Sequence, residues 1–502
     1  MRRLFSRLPF AVILIALGAV AMLPPAIHAF SLRDYDTARA FFYSAILFLL
    51  LFALLSVAFG GRFPQKRVRS HLVTLAAAYV LLPVMLAVPF HESVPATRFF
   101  GVWFEMASCL TTTGATLFAP ERLPEAVHLW RAIVGWLGGF LTWVTAIAIL
   151  APLNLGGFEV VSGEEVGEGA ATVTQITRVA DGSERLLRFS WHLAPVYFGL
   201  TLALWIGLIM AGAEPLNAVI HAMSTLATSG ISPGEGPESG LVGEALIFGF
   251  LIFAVSRMTF SGDVAGRGPR RLRKDPEMQM GAIIVALVPL FLFLRHWAGA
   301  YDVADESNIA AGLGALWGAV FTTLSFLTTT GFVSEAWDTA RDWSGLPTPG
   351  LVLMGLSLIG GGVATTAGGV KLLRIYALYK HGVREMERLV HPNSVGGAGT
   401  AARRIRRKGA YVAWIFFMLF AISIALSMGA FALTGLSFEA STVLTIAALS
   451  TTGPLAEVAA AAPIVYADLT DAALAIFAAG MVLGRLETLA LIALFNPDLW
   501  RS

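Results

Sequence analysis

The sequence has little cysteine and little charge, and both shortages exclude classes of protein. A single cysteine, Cys109, excludes an internal disulfide framework and a thiolate cluster for a metal. The nine histidines are scattered without the spacing of a metal site. Charged residues make up only 14% of the chain, whereas 56% of its residues are hydrophobic. A water-soluble core could not hide so much apolar surface, so the composition indicates an integral membrane protein.

Signatures of catalysis and nucleotide binding are absent as well. No GxGxxG motif follows a predicted strand, and the sequence has no phosphate-binding loop or catalytic triad. No folded soluble domain accompanies its basic segments, so we expect no nucleic-acid partner. We therefore expect neither an enzyme nor a resident cofactor, and any control by a nucleotide would have to come from a partner subunit.

Long apolar runs take up most of the chain. A run of roughly 20 apolar residues crosses the hydrocarbon of a bilayer. The first run could instead be a signal peptide, since arginines precede it, but it continues through Pro24 and Pro25 to Phe30 and a second run follows. We therefore predict spans at 8–30, 40–60, 70–90, 130–153, 190–212, 241–260, 279–298, 348–380, 410–433 and 472–495. Shorter amphiphilic pieces, predicted to enter the membrane and return, lie at 97–110, 214–227, 310–327 and 438–450.

The distribution of Lys and Arg predicts the orientation of the chain. Segments 61–69, 267–274 and 403–408 are strongly basic and are expected to face the cytoplasm. By contrast, 213–244 and 434–471 contain no Lys or Arg and carry several carboxylates, so they are expected to face outward. With ten spans, both termini are then expected in the cytoplasm. We expect the protein to lie in the inner membrane of the cell. The basic segments are also suited to contact anionic lipid.

An internal repeat follows the first two spans. The order apolar span, short helix, Thr/Ser-Gly loop, apolar span occurs four times, and the loop glycines are roughly 100 to 120 residues apart. The loops read LTTTGAT (110–116), LATSGIS (226–232), LTTTGFV (327–333) and LSTTGPL (449–455). Each has two hydroxyl residues immediately before its glycine, so the repeat extends to the loop chemistry.

These loops are suited to hold a dehydrated cation. Successive backbone carbonyls can face one ion only in unusual dihedrals, which glycine tolerates, and the hydroxyls either add oxygen ligands or brace the loop. The short helix before each loop points its partially negative C-terminus at the same place. Small residues also let membrane helices pack closely, which is the alternative explanation of a single such motif. Four motifs at matching places favour an ion filter.

The chain resembles the TrkH/KtrB/HKT superfamily of potassium transporters, and most closely its bacterial TrkH branch, over essentially its whole length. Beyond the four loops, the resemblance is carried by RAIVGWLGGF (131–140), GGGVATTAGGVKLLRIYALYKHGVREMERLVHPNSV (360–395) and GRLETLALIALFNPDLW (484–500). It implies that backbone carbonyls of the loop triplets coordinate potassium. The matching residues are Thr112, Thr113 and Gly114; Thr228, Ser229 and Gly230; Thr329, Thr330 and Gly331; and Thr451, Thr452 and Gly453.

The first and second loops bear on selectivity. In plant relatives that favour sodium a serine replaces the first glycine, so Gly114 favours potassium. Relatives often have Gly-Gly-Phe where this chain has Ser229, Gly230 and Ile231, which bears on how sharp the selectivity is.

A candidate gate lies in the third repeat. The span 348–380 is interrupted by GGGVATTAGG (360–369), in which Gly360, Gly361, Gly362, Gly368 and Gly369 predict a break in the helix. The resemblance implies that this intramembrane loop opens and closes beneath the filter. Close helix packing is the alternative. Lys371 follows the glycines and belongs either to the gate or to the cytoplasmic rim.

Arg485 is a charge well inside the last apolar run, about 20 Å from its start at 1.5 Å per residue. A charge at this depth is costly and marks a functional site by default. The resemblance implies that it projects into the pore below the filter and restricts permeation. A structural ion pair with a neighbouring helix is the alternative.

Together these features predict an all-α integral membrane protein in which four potassium-channel-like units, each of two spanning helices and a pore helix, surround one pore. The predicted divisions are 1–65 for two extra N-terminal helices and 66–160, 185–265, 276–395 and 405–502 for the four pore units. The predicted function is channel-like potassium uptake, with potassium as substrate. Symport of potassium with protons or sodium is the alternative. The resemblance also implies a homodimer and a cytosolic, TrkA-like ring of nucleotide-binding regulatory subunits.

Overall fold

A computed structural model describes residues 9–59, 68–151, 157–158, 182–234, 236–237, 240–256, 275–298, 309–346, 348–391 and 409–486. Throughout these ranges every regular element is a helix, and no strand occurs. The basic segments 267–274 and 403–408, and most of 61–69, lie outside the described residues.

Three helices open the described chain: α1 (Phe10–Ala21), α2 (Leu23–Ser31) and α3 (Tyr35–Phe59). The break between α1 and α2 falls at Met22, where Pro24 and Pro25 cannot donate the backbone bonds that would continue α1. α1 and α2 pack against α3, and together they form one candidate span, Phe10–Ser31. The first apolar run is therefore built like a kinked spanning helix.

The remaining helices repeat one order four times: a long helix, a short helix, a Thr/Ser-Gly loop and a further helix. The first group is α4 (Val68–Ser93), α5 (Phe99–Leu110) and α6 (Glu125–Thr145, continued as π-helix Ala146–Leu150), and the second is α7 (Gly182–Met210), α8 (Pro215–Ala227) and α9 (Gly240–Leu251, continued as 3-10 helix Ile252–Ala254). The third is α10 (Pro276–Ala298), α11 (Ile309–Leu327), α12 (Trp337–Ser344), α13 (Gly350–Ile359) and α14 (Leu372–Val390), and the fourth is α15 (Gly409–Leu433), α16 (Phe438–Ser450), α17 (Leu455–Val458) and α18 (Asp471–Leu486). Short 3-10 turns lie at Pro120–Arg122 and Tyr466–Asp468.

Seven helical stretches of the described chain are long and apolar enough to cross a bilayer: Phe10–Ser31, Tyr35–Phe59, Val73–Ser93, Glu125–Leu150, Arg185–Met210, Pro276–His296 and Gly409–Leu433. The three other predicted spans contain shorter helices, α9, α13 and α18. Of these, α9 and α18 run up to, or within a few residues of, the end of a described range. α13 ends at the predicted glycine-rich interruption.

Helix glycines set how closely the short helices approach their neighbours. A Cβ atom on Gly138 of α6 would overlap the carbonyl of Leu110, the last residue of α5, and one on Gly484 of α18 would overlap the carbonyl of Leu449 in α16. In both places the outer helix packs directly on the C-terminal end of a short helix, as small residues permit in membranes. The Thr/Ser-Gly loops that follow these helix ends therefore start from fixed positions.

Candidate functional site

The four Thr/Ser-Gly loops meet in a closed ring. A Cβ atom added to any loop glycine would lie within 3.0 Å of the next loop: Gly114 against Ser229, Gly230 against Thr330, Gly331 against Pro454 and Gly453 against Ala115. The last of these contacts returns from the fourth loop to the first, so the loops surround one axis in chain order. All twelve predicted loop residues are buried except Gly114, which is half-buried.

The loop backbones share an unusual conformation. The residue two before each glycine has a positive φ although it is a threonine: Thr112 (53°), Thr228 (50°), Thr329 (56°) and Thr451 (57°). Three of the glycines also have positive φ, namely Gly114, Gly230 and Gly331. Left-handed residues at alternate positions turn successive carbonyls toward the same side. Gly453 does not share this conformation, so the fourth loop differs in its backbone.

The hydroxyl group directly before each glycine braces its own loop. It hydrogen-bonds a hydroxyl at or near the end of the preceding short helix: Thr113 with Thr111 (2.9 Å), Ser229 with Ser224 (3.0 Å), Thr330 with Thr328 (3.1 Å) and Thr452 with Ser450 (3.1 Å). These hydroxyl groups could either bind an ion or brace the loop, and their hydrogen bonds support the bracing role. The backbone carbonyls remain the candidate ion ligands.

The hydroxyl groups of the four threonines two residues before the glycines differ in their hydrogen bonding. Those of Thr112 and Thr451 are buried and have no hydrogen-bond partner among the described residues. Buried polar groups normally have partners, so two unsatisfied oxygens on one ring indicate a place for a polar or cationic ligand. The Thr113 carbonyl accepts a hydrogen bond from the Gly453 amide (2.6 Å), and an ion that used this carbonyl would compete with that bond.

The predicted interruption of the third-group helix is present. α13 ends at Ile359 and α14 begins at Leu372, and the twelve residues between them are all buried. Gly360 and Gly369 have positive φ values of 72° and 76°, and a side chain on either would overlap the other strand of the same loop. Gly361 and Gly362 pack against the backbone of Ala254 and Val255, and Gly368 packs against that of Ser450. Each of the five predicted gate glycines thus sits at a close backbone approach.

Hydrogen bonds tie this intramembrane loop to the ends of the short helices. The Gly368 amide donates to the Thr329 hydroxyl (2.7 Å), and the Thr366 hydroxyl donates to the Leu226 carbonyl (3.2 Å). At the other side of the loop, the Val363 amide donates to the carboxylate of Glu277 (2.7 Å). The loop therefore lies directly against the ring of Thr/Ser-Gly loops.

Arg485 links the loop to the first Thr/Ser-Gly loop. Its Nε donates to the Thr111 carbonyl (2.7 Å) and its Nη1 to the Thr366 carbonyl (2.6 Å), while the residue is only 6% exposed. Within the described part of the chain no carboxylate pairs with Arg485, and its Nη2 has no partner there. The ion-pair alternative therefore finds no support among these residues. The guanidinium instead acts as a clamp between two backbone segments.

Lys371 belongs to the loop rather than to a cytoplasmic rim. It is 6% exposed, and its ammonium donates to the Ala367 carbonyl. Lys371, Arg485, Thr365 and Tyr79 line one cavity beside the loop. Two cationic side chains thus share a buried space next to the candidate ion path.

Sequence reasoning missed a set of buried charges around the ring. Glu105 on α5 pairs with Arg131 on α6 (2.8 Å), and Glu244 on α9 contacts the third group. Glu105 lies in a short amphiphilic piece and Arg131 in a segment already singled out, so a charge within an apolar helix was the available signal. Their partners could not be read from the sequence because they are distant in the chain.

Apolar helices around a buried ring of loops define an integral membrane protein of the transport class. The family model described as "TrkH: Cation transport protein" matches residues 278–501. The Trk system potassium uptake protein TrkH of Vibrio parahaemolyticus is 30% identical to this chain, and the alignment covers 98% of both. The Escherichia coli protein of the same name is 28% identical, again over 98% of both chains. This chain belongs to the TrkH family, which confirms the resemblance.

A solved structure agrees with the sequence comparisons. The crystal structure of the potassium transporter TrkH from Vibrio parahaemolyticus matches with a TM-score of 0.82 and 26% identity, and the match covers 99% of each chain. The relatives are named as transport proteins, in agreement with the expectation that this chain is not an enzyme.

Proposed function

We propose that this protein takes up potassium across the cytoplasmic membrane through a channel-like pore. The observation that carries the proposal is the closed ring of four loops, each with a left-handed threonine two residues before its glycine. The relatives named for potassium uptake support potassium as the substrate. A ring of backbone carbonyls can replace the hydration shell of this ion.

The pore in this proposal is built from four units of two spanning helices and one pore helix, at 66–160, 185–265, 276–395 and 405–502. Two extra transmembrane helices in 1–65 precede them. The carbonyls of the four loop triplets form the filter, from Thr112–Gly114 to Thr451–Gly453. The chain sits in the inner membrane with both termini in the cytoplasm, so the loops face outward.

The gate in this proposal is the intramembrane loop, with its five glycines, Lys371 and Arg485. Its hydrogen bonds to the Thr/Ser-Gly loops support a closed position directly beneath the filter. Opening then requires the Arg485 clamp to release the Thr366 carbonyl. A homodimer and a cytosolic, TrkA-like nucleotide-binding ring are the partners that would drive this movement.

Ion flux into proteoliposomes that contain the purified protein tests the filter. We expect potassium to enter faster than sodium in the wild type. Gly114→Ser should lower that preference, because a side chain there meets the Ser229 carbonyl and the φ of 75° strains any residue but glycine. Gly199→Ser, the same change at a glycine of α7 where an added side chain meets no neighbour, serves as the control. Equal entry of both ions through the wild type would contradict the proposal.

A further inference from the structure

Glu244 is a buried carboxylate that no part of the proposed pore mechanism uses. It lies on α9 of the second group and is 2% exposed. Its Oε2 accepts hydrogen bonds from Trp317 Nε1 (2.6 Å) and the Ser334 hydroxyl (2.9 Å), and its Oε1 accepts one from the Glu335 amide (2.8 Å). All three donors belong to the third group. Glu244 is therefore a bridge from one group to the next.

Glu244 connects the helix before the third loop to the segment that follows this loop. Trp317 lies on the short helix α11, which leads into the loop, and Ser334 lies three residues after Gly331, where the chain leaves it. The Ser334 amide also contacts the Thr322 hydroxyl of α11 (3.4 Å). Glu244 thus holds the exit of the loop against the helix that enters it.

The first group also holds the exit of its loop with a carboxylate, which lies on its own short helix. Glu105 on α5 is fully buried, and its Oε2 accepts a hydrogen bond from the amide of Leu117 (2.9 Å). Leu117 lies three residues after Gly114, as Ser334 lies three after Gly331. The other Glu105 oxygen pairs with Arg131 (2.8 Å). A carboxylate therefore anchors the same point of both loops, although the two come from different helices.

The second and fourth loops are held by neutral groups. His221 on α8 shares a hydrogen bond with the Ser232 hydroxyl (3.0 Å), and the Tyr466 hydroxyl donates to the Gly453 carbonyl (2.8 Å). Because the loops contact one another in chain order, the first and third lie opposite each other on the ring. Two opposite loops are therefore anchored by carboxylates and the other two by neutral side chains.

A buried carboxylate is costly to desolvate and persists only where several donors satisfy it. Hydrogen bonds to a charged group are also about twice as strong as neutral ones, so these anchors are stiffer. The separation of opposite loops sets the size of the carbonyl cage, which is one of the features by which a filter distinguishes potassium from the smaller sodium ion. We propose that Glu105 and Glu244 are positioning residues that fix the exits of the first and third loops and thereby set the preference for potassium over sodium. This inference rests on the proposed filter function.

The test measures potassium and sodium flux in proteoliposomes for the wild type and Glu244→Gln. Glutamine keeps the size of the side chain, but an NH2 group that cannot accept a hydrogen bond replaces one of the two accepting oxygens, so the donors of Trp317, Ser334 and Glu335 can no longer all be satisfied. We expect the potassium-to-sodium flux ratio to fall about tenfold, which corresponds to ~1.4 kcal/mol of discrimination. The matched control is Glu214→Gln, which changes an exposed glutamate of the same predicted outward segment, 213–244, and should keep the wild-type ratio.

Milder variants separate positioning from a general effect on folding. Ser334→Ala and Trp317→Phe each remove one donor and should lower the ratio less than Glu244→Gln. Either change combined with Glu244→Gln should add little to it, since both act on one bridge. Thermal unfolding in detergent is recorded for every variant. These single-donor variants also carry the test if Glu244→Gln does not fold.

The first group provides an independent arm, because Glu105→Gln combined with Arg131→Gln neutralises the pair without leaving a lone charge. A lower ratio in this double variant supports the inference. Unchanged ratios in the Glu244, Ser334 and Trp317 variants, beside a potassium-selective wild type, would overturn the positioning role even where unfolding temperatures fall. A wild type without preference would instead contradict the filter proposal itself.

Discussion

Arg485 combines two effects that a set of substitutions can separate. In the proposed gate its charge would repel a cation beneath the ring, and its hydrogen bonds clamp the loop to the Thr111 carbonyl. We expect Arg485→Ala to raise potassium flux because it removes both effects. Arg485→Gln keeps a donor but no charge, so it should raise flux if the charge is the main barrier. Flux into proteoliposomes measures each variant.

A third variant at position 485 tests the clamp separately from the charge. Arg485→Lys keeps the charge but cannot reach both carbonyls with a fixed fork of donors, so it isolates the clamp. Flux as low as that of the wild type in Arg485→Ala would refute the barrier role. Higher flux in Arg485→Lys than in Arg485→Gln would identify the clamp as the larger effect.

At the scale of single residues the sequence predicted which residues lie near one another better than how they make contact. The twelve loop residues and the predicted gate residues are neighbours in the structure, and the repeated motif and the glycine run that mark them are local signals. The left-handed threonines were not predictable, since residues other than glycine avoid positive φ unless their surroundings impose it. The anchors at Glu105 and Glu244 depend on contacts with Leu117 and Ser334 that only the folded chain creates.

The boundaries of the short helices agree closely with the sequence analysis. Pieces predicted at 97–110, 214–227, 310–327 and 438–450 are observed as Phe99–Leu110, Pro215–Ala227, Ile309–Leu327 and Phe438–Ser450. Their apolar composition predicts a helix, and the Thr/Ser-Gly motif that follows marks its end. The interruption after Ile359 was predictable from the glycine run 360–369, because glycines weaken a helix. The contacts that hold the interrupted loop in place come from other groups and were not.

Glu277 holds the intramembrane loop from the side of α10. Its carboxylate accepts a hydrogen bond from the Val363 amide, and removing the carboxylate leaves a buried donor unsatisfied at a cost of about 1–3 kcal/mol. We therefore expect Glu277→Ala to loosen the loop and to raise basal potassium flux while it lowers the unfolding temperature. Glu387→Ala, on the exposed face of α14, is the control. A lower unfolding temperature with unchanged flux would argue against a role of this bond in gating.

The orientation of the whole chain can be tested by labelling introduced cysteines, because the single native cysteine is buried. Cys109 is 1% exposed, so a membrane-impermeant maleimide should leave the wild type unlabelled in intact cells. Glu439→Cys, on the predicted outward side, should label in intact cells. Arg388→Cys, on exposed α14, should label only after the cells are permeabilised. The reverse pattern would contradict the positive-inside assignment on which the inward path of potassium depends.

Channel-like flow and coupled transport differ in how the molecule as a whole uses the membrane gradients. Coupling to protons needs titratable groups that load and release them at mid-membrane. Glu105 and Glu244 are instead bound to donors around the ring, and Arg485 to two carbonyls, which favours channel-like flow. For such a pore the reversal potential should move about 59 mV per tenfold change in the potassium gradient, the value for one charge per ion.

A one-to-one symport of potassium and protons predicts a different response. Its reversal potential depends equally on the two gradients, so a tenfold change in potassium would move it by only about half of the 59 mV and a change in pH would move it as well. Recordings from planar bilayers, with Arg485→Ala included to raise the current, distinguish the two mechanisms. A reversal potential that follows pH at constant potassium would replace channel-like flow with symport, while leaving the ring of four loops as the potassium site.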